Sequence, residues 1–99
     1  MPGFTKKTAK KNLNSFVRHL LKIKTEEQLE AFLSEIMTAK EIVTLSLRWR
    51  LLELLRAGQS QRGIAKTLGI SLCKITRGSK ILNKKGSITK QILDTEEIP

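Results

Sequence analysis

The stretch Ser60–Lys80, SQRGIAKTLGISLCKITRGSK, decides how this chain is read. Ser60 is a helix-capping residue type, and Ile64 and Leu68 fall one turn apart behind it. Gly69 offers a backbone position that tolerates positive φ, and Ser71 offers a second cap. Two short helices that cross steeply need a small residue where they meet, and Ala65 is that residue. Ile64, Leu68, Ile70 and Ile75 supply the apolar contacts that lock the pair. The spacing of Ala65, Gly69 and Ile75 predicts a helix-turn-helix over about residues 61–83, more specific than a plain helical hairpin.

The second helix of such a motif lays its N-terminal residues against base edges in the major groove. That end reads Ser71, Leu72, Cys73 and Lys74, with Thr76 one turn on. Leu72 and Cys73 suit a thymine methyl, and Lys74 suits guanine or phosphate. Gln61 and Arg62 open the first helix, where side chains and free N–H groups meet the phosphate backbone. Lys66 and Lys80 extend the basic rim, although solvation alone also accounts for a surface lysine. Gly63 stands in a first turn where Ala would be better by up to about 1 kcal/mol. Close approach of a DNA backbone is one reading of it.

Outward from the motif, the chain reads as a row of helices. Prolines occur only at Pro2 and Pro99. Leu13, Phe16, Val17, Leu20 and Leu21 form one helical stripe with Asn12 as its expected cap. Residues 1–11, polar and basic without period, read as a disordered arm. Thr25 opens a capping box closed by Gln28, and Leu29, Phe32, Leu33, Ile36 and Met37 repeat the stripe. Thr38 opens a second box closed by Glu41, ahead of a third helix over about 39–57. Its apolar residues, among them Val43, Leu45, Trp49, Leu51 and Leu55, spread around most of the cylinder. A helix apolar on most sides is buried on most sides, and in so short a chain a second copy is the expected cover. Gly58 ends it. Ser87 starts a last short helix over 88–94, and residues 95–99 read as a frayed tail. No stretch alternates with period two. The fold class is all-α, with about six short helices in one domain over 12–94 that forms a homodimer.

The formal charge of +10 is unevenly spread. Residues 1–24 carry seven Lys/Arg and no acid, and residues 48–90 carry eleven against Glu53 alone. Two basic blocks point to a polyanionic partner. Cys73 and His19 are each the only residue of their type, so no cysteine-based metal site or intrachain disulfide is expected. No apolar run approaches a membrane span, and no apolar core follows the N-terminal lysines, so a cytoplasmic location is expected. An enzyme is disfavoured, since neither paired carboxylates nor a nucleophile with a base is visible. An RNA-binding module is disfavoured too. Its stacking platforms need aromatics, and Phe4, Phe16, Phe32 and Trp49 are all there are, most of them in apolar stripes.

The blocks TAKE (38–41), LRWRLLELLRAG (47–58), SQRGIAKTLGIS (60–71) and ITRGSKIL (75–82) together resemble the trp repressor family. The resemblance covers about residues 30–85. It implies an intertwined all-helical homodimer that represses transcription and takes L-tryptophan as co-repressor. By that resemblance Arg48 and Arg77 sandwich the indole and bind the carboxylate, Thr38 contacts the ligand, and Gly78 matches the glycine beside the second arginine. Two arginines are chemically suited to stack on a ring and fork onto a carboxylate, but only the resemblance brings them together. Lys74 and Ile81 depart from the family pattern, standing where a small or hydroxylated residue and a serine are usual. A regulator of the same fold with another effector, or none, is the alternative.

Overall fold

The computed structural model describes residues 3–95. Six helices are found among them and no strand: α1 (Lys6–Leu20), α2 (Glu26–Ile36), α3 (Ala39–Arg56), α4 (Gln61–Leu68), α5 (Leu72–Asn83) and α6 (Ile88–Asp94). Five begin in the same way, on a hydroxyl that accepts a hydrogen bond from the N–H three residues on. The capping residues are Thr5, Thr25, Ser60, Ser71 and Ser87. Each satisfies one of the first-turn N–H groups that a helix leaves unpaired.

The start of α1 corrects the sequence reading. Residues 6–11 are helical, and the cap is Thr5, not Asn12; Thr5 Oγ1 accepts from Thr8 N–H at 3.1 Å. The run Lys6-Lys7-Thr8-Ala9-Lys10-Lys11 lacks an apolar period, but lysine and alanine are strong helix formers and extend the amphipathic helix that follows. Residues 1–2 of the expected arm, and residues 96–99 of the expected tail, lie outside the described residues. The Thr25 box also differs by one residue. Gln28 N–H bonds Thr25 Oγ1 at 3.1 Å, while the Gln28 side chain reaches past Thr25 to the N–H of Lys24 at 3.3 Å.

Where the sequence suggests a single domain over 12–94, the chain divides into two compact units, one up to Ala39 and one from Lys40. In the first, Phe16 of α1 stacks on Phe32 of α2, ring centroids 5.8 Å apart and planes 27° from parallel. No residue of either helix is buried, and Leu13, Val17 and Ile36 stay more than two-fifths exposed. A pair of helices this small has no dry interior of its own.

The second unit holds the core. Leu51 and Leu54 of α3 pack with Ile64 of α4 and Ile75 of α5, the two isoleucines being fully buried. Leu55, Ala65, Leu68 and Ile70 close around them. Gly58 (φ 89°) ends α3 by accepting a left-handed conformation, which lets its N–H reach the Leu55 carbonyl and the N–H of Gln59 reach that of Leu54. Gly69 (φ 65°) does the same between α4 and α5, and the N–H groups of Gly69 and Ile70 share the Ala65 carbonyl at 2.9 and 3.3 Å. That turn swings Ile70 back onto the core. The helix-turn-helix bounds expected from the sequence, 61–68 and 72–83, are those observed.

Candidate nucleic-acid interface and adjoining cleft

The faces of α5 divide its work. Ile75, Gly78 and Leu82 point into the core. Leu72, Cys73, Thr76 and Lys80 are exposed, as is the cap Ser71. On α4, Gln61, Arg62 and Lys66 are exposed while Ile64 anchors the helix. Every residue read as a DNA contact therefore lies on the surface of the second unit, Lys74 included. The Thr76 hydroxyl donates to Gln61 Oε1 at 3.5 Å, so a candidate base reader on α5 touches a candidate phosphate contact on α4. Neither helix contains an acidic residue. Such a face, basic and with two free helix N-termini, is electrostatically suited to phosphate.

Gly63 acquires a local reason here. Its N–H bonds the Ser60 cap oxygen at 3.1 Å, and a Cβ on Gly63 would stand only 3.0 Å from that oxygen. The glycine leaves the cap room.

Behind the reading face, α3 and α5 enclose a cleft of about 330 Å³. One wall is Thr44, Leu47, Arg48, Leu51 and Leu52, successive rungs of a single stripe on α3. The other is Lys74, Arg77, Gly78 and Ile81 on α5, with Ile70 from the turn. Arg48 and Arg77, which nothing in their own chemistry brings together, thus line one space. Gly78 is buried where the helices approach most closely, its missing side chain occupied by Leu51 and Leu55. Lys74 lies in the first turn of α5 and in the cleft wall at once. Thr38 ends the first unit and is exposed, and the cleft is lined by residues 44–81 alone. Leu47, Leu52 and Thr44 were missed by sequence reasoning. Their stripe is regular, but α3 is apolar on so many sides that no one face stands out.

A clasp holds α6 to the end of α3. Arg56 Nε bonds Asp94 Oδ1 at 2.7 Å, and Lys90 Nζ bonds Asp94 Oδ2 at 3.0 Å. The Arg56 hydrogen bond first, and Lys90 second, hold the Asp94 carboxyl below its ordinary range.

With this geometry in place, comparison with known proteins is decisive. The family model described as "Trp repressor protein" matches residues 11–97. The chain belongs to that family. A "Trp operon repressor homolog" of Vibrio campbellii is 40% identical over 70 residues, covering 70% of each chain. A "Trp operon repressor homolog" of Xylella fastidiosa is 36% identical over 80 residues, 77% of this chain and 87% of its own. No solved structure matches at comparable stringency. The Trp repressor family is one of transcriptional regulators, not of enzymes. Among the described residues no helix is long and apolar enough to cross a membrane, and no cluster of His, Cys, Asp and Glu could hold a metal ion.

Proposed function

We propose that this chain is a transcriptional repressor that binds double-stranded DNA through α4 and α5, works as a homodimer, and is gated by a small aromatic carboxylate in the α3–α5 cleft. The names of the family and of its relatives point to L-tryptophan as that co-repressor. One observation carries the gate: Arg48 and Arg77 line the same cleft, and the wall that carries Arg77 is the helix that would read DNA. A guanidinium forks onto a carboxylate with two directed hydrogen bonds, and its plane stacks on an aromatic ring. A ligand so held bears on the angle of α5. It shifts the binding-competent population by its differential affinity for that angle. Thr38, on the resemblance, adds a ligand contact. The homodimer is supported by apolar residues that α3 leaves in solvent, Val43 at 58% and Trp49 at 40% exposure.

A regulator of this fold answering to another effector is the second reading, favoured by Lys74 and Ile81 in the cleft wall. The test is to select DNA from a random pool with the protein, then titrate the selected fragment in gel shifts with and without L-tryptophan. Tighter binding with the amino acid is expected. Equal binding in both removes L-tryptophan as the gate.

A further inference from the structure

We infer that the α3–α5 cleft is built for an aromatic anion without an ammonium group, so that a desamino carboxylate fits it better than the corresponding α-amino acid. This rests on the gated reading above and names the ligand class of the same site. Three cations line the cleft, Arg48, Lys74 and Arg77, and no Asp or Glu does. A carboxylate entering it meets three charges of opposite sign. An ammonium on the adjoining carbon meets the same three with its own sign, and like charges a few ångströms apart repel.

The ammonium also needs acceptors. Among the lining side chains only the Thr44 hydroxyl is a neutral acceptor; Leu47, Leu51, Leu52, Ile70 and Ile81 are aliphatic. Withdrawing an ammonium from water without replacing its hydrogen bonds is unfavourable. The rest of the ligand is constrained just as firmly. A cleft of about 330 Å³ with an aliphatic floor accommodates a bicyclic ring. Lys74 is exposed, so solvent screens part of its field. The discrimination is therefore modest, about tenfold.

Calorimetry on the intact chain with three probes sharing one ring tests this: L-tryptophan, indole-3-propionate, which lacks only the amino group, and tryptamine, which lacks only the carboxylate. The propionate is expected to bind about tenfold more tightly than the amino acid, or about 1.4 kcal/mol, and tryptamine to give no saturable heat. K74T, removing an exposed cation, should bring the two carboxylates within about threefold of each other by strengthening the amino acid. L-tryptophan binding as tightly as the propionate, or a ratio unmoved by K74T, overturns the inference and leaves the gate standing. Absence of binding by both carboxylates overturns the gate itself, and the inference with it, while the gel shift still reports on DNA binding.

Discussion

Gly78 lies so close to Leu55 that a Cβ on it would stand 3.2 Å from Leu55 Cδ1, and 3.4 Å from Leu51 Cγ. The contact sets how near α5 comes to α3, and so how wide the cleft is. In Gly78→Ala, helix propensity gains up to about 1 kcal/mol, and crowding against the buried Leu51 takes away about 1–3. A net loss of about 1 kcal/mol in urea unfolding is expected, with ligand affinity falling several-fold more than stability implies. A variant that unfolds earlier but keeps full ligand affinity would show that this contact does not set the cleft.

Ile64 and Ile75 are both fully buried and meet in the only dry part of the described chain. Truncating either to alanine should lower the unfolding free energy by about 2–5 kcal/mol. For so small a unit that is a large share of the total. Circular dichroism during thermal unfolding checks it. Loss of DNA binding without loss of stability would assign the isoleucines another role.

Asp94 gives the pH dependence a definite sign. Its carboxyl titrates lower in the folded chain than in the unfolded one, so its contribution is present above the unfolded value and is lost as pH falls through the folded one. Asp94→Asn should therefore melt below wild type at neutral pH. The two melting temperatures should converge below about pH 4, the ordinary carboxylate range. Because the group is exposed, added salt should narrow the gap as well. A gap that persists at low pH would mean that the clasp acts through packing.

The DNA face predicts a division of labour. Binding should weaken steeply with salt, with a log–log slope of about −0.9 per neutralised phosphate. Leu72→Ala and Thr76→Ala should alter sequence preference more than general affinity, and Lys66→Ala the reverse. Competition gel shifts with selected and random DNA separate the two. Equal effects of all three variants on both DNAs would contradict the groove assignment.

Arg77→Lys keeps the charge of the cleft and removes the fork. Ligand dependence of operator binding should vanish, while weak binding to random DNA stays nearly unchanged. Adjacent residues on a helix point about 100° apart, which is how Arg77 lines the cleft while Thr76 meets Gln61 outside it. Sedimentation at micromolar concentration tests the accompanying homodimer, which a stable folded monomer would exclude.

The second unit was legible in the sequence because its punctuation is chemical. Ser60, Gly69, Ser71 and Ser87 can each do little else at their positions, and α4, α5 and α6 begin and end where those residues direct. The first unit was less so. Asn12 is as good a cap type as Thr5, and only the bond from Thr8 N–H decides between them. The cleft was half legible. Arg48 and Arg77 came from resemblance alone, while Leu47 and Leu52 belong to a wall that exists only once Gly78 lets two helices approach. Gly63 resisted any sequence account because its reason is a single distance to Ser60.

All five capping side chains are uncharged hydroxyls, and the first turns of α4, α5 and α6 carry no acid. An aspartate would cap as well, and would also answer the positive end of the helix dipole. Serine closes the hydrogen bond and leaves that dipole unanswered. The fold thus keeps in reserve, at the mouths of α4 and α5, an attraction for negative charge that titration does not switch off. It adds to the lysines without needing any side chain to be immobilised. A surface of this kind holds a polyanion loosely at any register and leaves discrimination to the few side chains that project beyond it.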